Sequence, residues 1–188
     1  ILNLILKRVL TSSILFFWYI LQILTKFDNF VCFNKRLRRV IMGEINLSTL
    51  MLIGIDDYTT KVITYDGEFI VNMCAKDIIN ESCKNFGSSL KSRLKMTDSI
   101  IHITSKPPII IEETRDIIFF PLRSPRLEDN IWISFNNLER YEQENSQTAL
   151  YFKKNKKILI DFSYYVLDNQ VTKAILFHYE LNKRRKSL

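Results

Sequence analysis

Residues 50–72 read LMLIGIDDYTTKVITYDGEFIVN, and this stretch decides the fold class. Leu50 to Ile55 and Lys61 to Tyr65 are short runs rich in β-forming residues and read as strands. Asp66-Gly67 sits between β-formers and is a strong two-residue hairpin signal, leading into a third run, Glu68 to Asn72. An antiparallel ribbon therefore opens the domain. Ala75 to Phe86 then predicts a helix, with Ile78, Ile79, Cys83 and Phe86 on one side and Gly87 placed to stop it at positive φ.

Further on, Ser99 to Ile103, Pro108 to Ile111, Ile117 to Phe120 and Ile131 to Phe135 are β-like runs separated by turns and prolines. Thr148 to Phe152 and Lys157 to Phe162 flank a Lys-Lys-Asn-Lys turn, a second hairpin. Ser163 or Asp161 is placed to cap a C-terminal helix near 163–182, whose Tyr164, Leu167, Val171, Ala174, Ile175, His178 and Leu181 form one apolar stripe. The expected fold is α+β, a single domain dominated by antiparallel strands with a helix near 75–86 and another near 163–182.

The chain has 188 residues, 47% of them apolar, with 13 Phe and 8 Tyr but only four Gly and four Pro. That composition suits one folded domain and excludes disordered or fibrous classes. The formal charge is +7, which by itself suggests an anionic partner. Its distribution weakens that suggestion: residues 1–41 carry seven basic side chains against Asp28 alone, whereas from Met42 onward 20 basic residues face 19 acidic ones. Cys32, Cys74 and Cys83 have no C-x-x-C spacing, so neither a disulfide framework nor a zinc site is expected and the thiols read as inert, in a reducing cytoplasm.

Residues 1–41 stand apart. Val9 to Thr25 is uncharged for 17 residues between Lys7-Arg8 and Lys26, the lower limit for a membrane helix. The cluster Lys35 to Arg39 would then hold the rest of the chain on the cytoplasmic side. Alternatively, the segment is translated sequence upstream of a start at Met42, the first methionine. On the first reading the molecule is a membrane-tethered protein-interaction module; on the second, its functional domain spans 42–188.

No catalytic constellation is apparent, and no metal or cofactor is expected. His102, expected in a strand, and His178, on the apolar stripe, stand outside any nucleophile motif, and Gly87-Ser88-Ser89 lacks the second glycine of a nucleophile elbow. The adjacent carboxylates Asp56-Asp57 and Glu112-Glu113 point to opposite sides of a strand and read as solvated charges. Local basic clusters carry more. Ser82 to Thr97 contains Lys84, Lys91, Arg93 and Lys95 without an acid, with Ser88 beside Gly87. It reads either as a solvated loop or as a segment whose backbone and hydroxyls approach phosphate. Lys106, Arg115, Arg123 and Arg126 form a second set, Lys153, Lys154, Lys156 and Lys157 a third, and Lys183 to Lys186 a fourth that is either a frayed tail or a DNA contact.

Specific strings reach further than composition. Glu81-Ser82-Cys83-Lys84-Asn85-Phe86-Gly87-Ser88-Ser89 resembles the most characteristic stretch of the bacterial competence transcription factor family, ComK. Ser105-Lys106-Pro107-Pro108-Ile109, Phe119-Phe120-Pro121 with Asn130-Ile131-Trp132-Ile133-Ser134, and Ser163-Tyr164-Tyr165 with Asn169-Gln170-Val171 are similar to its later motifs in the same order. The resemblance covers roughly residues 44–183. It implies an activator of DNA-uptake genes, not an enzyme, that binds AT-rich promoter boxes mainly through the minor groove as a homo-oligomer, acts on RNA polymerase indirectly and answers to a proteolytic adaptor. Family members are expected to carry more chain after the last helix, which puts the adaptor in doubt and suggests a shortened copy. Within that mode Arg93, Arg123 and Arg126 are candidates to enter the groove, and Lys84, Lys91, Lys95 and Lys106 to anchor phosphates. Gly87, Pro107-Pro108, Phe86, Phe119, Phe120 and Trp132 read as fold-forming.

Overall fold

The computed structural model describes residues 44–127 and 129–187, all within the compact unit Val40–Leu188. The readings made for residues 1–41, Cys32 included, lie outside the described residues. Two three-stranded meanders build the main sheet. The first is β1 (Thr49–Asp56), β2 (Thr59–Thr64) and β3 (Glu68–Val71), with the Asp66-Gly67 turn closed by the Thr64 N–H donating to the Gly67 carbonyl at 2.9 Å. The second is β4 (Ile109–Glu112), β5 (Ile117–Pro121) and β6 (Ile131–Ser134). An antiparallel seam between β1 and β6, with Leu52 opposite Trp132, joins them in the order β3-β2-β1-β6-β5-β4.

The central strands are buried on both faces, as their apolar runs require. Because successive side chains alternate, Leu52, Phe119 and Trp132 enter one core, while Met51, Phe120 and Ile133 enter another. The first core is closed by α1 (Ala75–Asn85), which contributes Ala75, Ile78, Ile79 and Cys83. The second is closed by a separate sheet of β7 (Leu138–Glu144), β8 (Gln147–Phe152) and β9 (Lys156–Ile160), together with α3 (Tyr164–Lys186). The fold is α+β with antiparallel sheets, as expected. β7, too polar in sequence to announce itself, is an addition: its Leu138 and Tyr141 face the core and its charged residues face out.

The stretch read as a basic loop followed by a strand at Ser99 to Ile103 is instead α2 (Leu90–Ile101). Local chemistry explains it. Gly87, at φ 71°, ends α1 with two bonds, Gly87 N–H to the Lys84 carbonyl and Ser88 N–H to the Cys83 carbonyl. Ser89 then caps α2 by accepting from the Ser92 N–H at 3.2 Å, and Asn80 of α1 accepts from the Leu90 N–H at 3.1 Å. The buried face of α2 includes Arg93 and Thr97 beside Leu90, Ile100 and Ile101, so its apolar period is broken in sequence. His102 is therefore no strand residue but the left-handed C-cap of α2, at φ 55°. Arg93 is held under α2 with only 7% of its side chain exposed; it ion-pairs with Glu113 and donates to the Ile111 carbonyl at 3.4 Å. Glu112 is likewise not solvated: it is buried and accepts from Arg115 at 2.8 Å.

On α3 the buried stripe is Leu167, Gln170, Val171, Ala174, Phe177 and Leu181. Phe177 replaces Ile175 as a core residue, and Ile175 is 54% exposed. Ser163 holds the N-cap position without a side-chain capping bond. The basic end of α3 is not frayed. Arg185 pairs with Asp116 at 2.5 Å and donates to the Glu113 carbonyl at 2.9 Å, while Arg184 donates to the Ser99 carbonyl at 2.8 Å. His178 is half-buried, its ring 5.6 Å from Phe135. Cys74 and Cys83 are buried, and burial pushes the Cys83 thiol up to about 11, consistent with inert thiols.

Asn137 joins three segments across the second face. Its amide nitrogen donates to the carbonyls of Leu47 and Thr49 and to the Ser134 hydroxyl, at 3.0–3.1 Å. Asn137→Ala should strand two buried acceptors and lower stability by about 1–3 kcal/mol, read from chemical denaturation followed by circular dichroism. Glu113→Ala should also destabilise by about 1–3 kcal/mol, because the buried Arg93 loses its countercharge. Arg93→Met, which removes the buried charge and leaves an exposed carboxylate, should cost less; the reverse order would refute this account of the pair.

Candidate nucleic-acid interface

The candidate cations separate by what satisfies them. Lys84, on the exposed side of α1, pairs with Glu81 at 2.7 Å, and Arg123 pairs with Asp129 while its guanidinium lies 5.6 Å from the Phe162 ring centroid. A cation beside a carboxylate projects little field. Exposed pairs of this kind are nevertheless weak and exchange readily. Ser88 is half-buried and spends its N–H on the α1 cap. Arg93 must be withdrawn as a groove reader: it is buried and tied to Glu113, so it presents no donor to a ligand in solution.

Three candidates far apart in sequence converge. Lys95 from α2, Lys106 from the connection to β4, and Arg126 from the loop between β5 and β6 line one groove of about 390 Å³, with Leu94, Asp98, Thr104, Ser105, Pro107, Ser124 and Pro125. Lys91 lies one turn before Lys95 on the same exposed face of α2. Among the described residues neither lysine has an ion-pair partner. No acid occupies the first turn of α2, where Lys91 lies.

The walls of the groove are set by buried polar bonds. Asn130, fully buried, accepts from the Arg123 N–H at 2.9 Å and donates to the Arg123 and Ser124 carbonyls at 3.1 and 3.0 Å, which shapes the loop carrying Arg123 and Arg126. Thr97 donates to the Pro108 carbonyl at 2.8 Å, anchoring the opposite wall to α2. Lys106 adopts φ 49° and sends its ammonium to the Leu122 carbonyl at 3.1 Å, tying the two walls together.

Sequence reasoning passed over Lys173 of α3. Its ammonium donates to the Ser105 carbonyl at 2.9 Å. Gln170, with its amide nitrogen facing the Lys106 carbonyl (2.9 Å) and its oxygen facing Lys173 (3.3 Å), completes the clasp. Burial, and then the nearby charge of Lys106, lower the Lys173 pKa. A lone lysine in a helix otherwise read for its apolar stripe gives no signal in sequence; only the packing of α3 on the 104–107 segment reveals it. Some of the remaining cations are engaged elsewhere: Lys154 lies 4.6 Å from the Tyr65 ring centroid, Lys157 pairs with Glu144, and Arg115 pairs with Glu112.

Among the described residues, no three His, Cys, Asp or Glu side chains gather as a metal set, and no helix is long and apolar enough to cross a membrane. What the arrangement offers is a concave, mostly apolar groove rimmed by cations, suited to an anionic backbone.

The competence transcription factor of Bacillus subtilis (strain 168) is 33% identical over 113 residues, 60% of this chain and 59% of that protein, so the match spans less than two thirds of the relative's length. No solved structure matches. The family model described as ComK protein matches residues 42–186, a range that includes every motif residue and both walls of the groove: the chain belongs to the ComK protein family.

Proposed function

We propose that this protein is a DNA-binding transcriptional activator of competence genes, working in the cytoplasm without catalysis or cofactor. The observation that carries the reading is the convergence of Lys95, Lys106 and Arg126 on one groove. Lys91 and Lys95 on α2, with Lys106 opposite, anchor the sugar-phosphate backbone. Arg126 and Arg123, on the loop shaped by Asn130, are the groove readers, Arg123 after exchanging Asp129 for the DNA. Recognition of AT-rich promoter boxes follows from the physics of the minor groove: its hydrogen-bond code is degenerate, and narrow A·T tracts concentrate negative potential that an arginine senses. The B. subtilis relative's role as a competence transcription factor supports the regulatory side of the reading.

Fluorescence anisotropy of the 188-residue chain on AT-rich and GC-rich duplexes, titrated across salt, tests it. Binding should be tighter on the AT-rich duplex, with log affinity falling against log salt by about 0.9 per neutralised phosphate. Lys95→Ala and Lys106→Ala should each flatten that slope by about one and weaken both duplexes alike. Arg126→Ala should cost about 1–3 kcal/mol on the AT-rich duplex and less on the other, while Arg93→Met leaves the slope unchanged. Absence of binding to either duplex at low salt overturns the proposal.

A further inference from the structure

Among the described residues, positive φ at a non-glycine position has a local reason everywhere but at Lys106. His102 caps α2, and Asp116, Asn145, Lys154 and Asn155 make the tight turns between successive strands. Lys106, at φ 49°, lies instead in the open bend between α2 and β4, directly before Pro107. The residue before a proline is driven toward extended backbone, and a side chain with a β-carbon resists positive φ in any setting. This conformation is therefore held from outside.

α3 does the holding. Two bonds bracket the Lys106 backbone: the Lys173 ammonium donates to the carbonyl of Ser105 at 2.9 Å, and the Gln170 amide donates to the carbonyl of Lys106 itself at 2.9 Å. The Gln170 oxygen accepts from Lys173 at 3.3 Å, which makes the two donors one unit. Gln170 is 2% exposed and shares the buried side of α3 with Leu167, Val171 and Ala174. A glutamine in such a stripe is costly to bury unless its bonds are made, and both bonds it makes belong to this clasp. The held backbone in turn decides where the lysine goes: the Lys106 ammonium crosses to the Leu122 carbonyl on the opposite wall at 3.1 Å. The extended φ that Pro107 favours would turn the side chain away from that line.

We propose that Gln170 and Lys173 are positioning residues for the groove: through the 105–106 peptide they enforce the strained backbone that aims the Lys106 ammonium across it. The functional half of this inference rests on the DNA-binding reading. The placement of Lys106 is tested without DNA, so the two fail separately.

NMR of the lysine ammonium groups in the full, nitrogen-15-labelled chain reads the placement. An ammonium held on a carbonyl is shielded from exchange, so Lys106 should give a resolved signal, assigned by its loss in Lys106→Ala. Gln170→Met should abolish that signal. Lys173→Met, at a half-buried position, should do the same, and Lys173→Arg, which keeps a donor for the Ser105 carbonyl, should preserve it; each variant is checked for native circular dichroism. A Lys106 signal missing from the wild-type chain overturns the proposal, as does one that survives both methionine variants. On duplex DNA, Gln170→Met alters no charge yet should flatten the salt slope by about one, as Lys106→Ala does, and the two together should still lose only about one. A wild-type slope in Gln170→Met, or additive losses in the double variant, overturns the positioning role. A wild-type chain that binds no DNA sinks the DNA reading alone and leaves the ammonium signals to decide the placement.

Discussion

The seam between β1 and β6 is the constraint on which the rest of the molecule depends. It pairs residues some 80 positions apart, Met51 with Ile133 and Leu52 with Trp132, and it turns two local meanders into one sheet with apolar side chains on both faces. A sheet of that kind is stable only if both faces are covered. The chain supplies one cover between its meanders, as α1 and the start of α2, and the other after them, as the second sheet and α3. The order of elements along the sequence follows from that need.

The groove is a by-product of the same solution. α2 begins in the core beneath α1, with Leu90 and Leu94, and ends in another shared with α3, where Ile100 and Ile101 meet Phe177 and Leu181. It therefore spans the edge strand β4, whose Ile109 and Ile110 belong to those two cores, and keeps that edge from pairing elsewhere. The residues joining α2 to β4 and β5 to β6 are left as two facing walls. Buried side-chain bonds from Thr97, Asn130 and Gln170 hold the walls in place, so the cations sit on a rigid frame.

The hairpin at Asp66-Gly67, both outer helices and most strands were legible because turn chemistry and apolar period agreed locally. α2 was not, because two of its buried positions are Arg93 and Thr97, each made tolerable by a tertiary partner that local sequence does not display. β7 was missed for the related reason that only one of its faces is covered. For the site, Lys95, Lys106 and Arg126 were recognisable as cations, but their convergence depends on the β1–β6 seam. Charge density misled for Arg93: a run of basic residues says nothing about which of them a helix turns inward. The motif Ser82 to Ser89 likewise turns out to be architecture, since Ser82 accepts from the Ile45 N–H at 3.1 Å and Gly87, Ser88 and Ser89 make the caps.

With charges nearly balanced after Met42, what distinguishes the groove is how its cations are satisfied. Most basic side chains elsewhere on the domain face a carboxylate, as in Lys61 with Glu68, Lys84 with Glu81, Arg140 with Glu142 and Lys157 with Glu144. Lys106 and Lys173 instead spend one donor each on a backbone carbonyl, which fixes the ammonium groups without cancelling their charge. Burial, and then the nearby charge of Lys106, lower the Lys173 pKa, so the charged form of Lys173 is held at a cost. An anion entering between the walls would meet donors already held in place, with little conformational entropy left to lose.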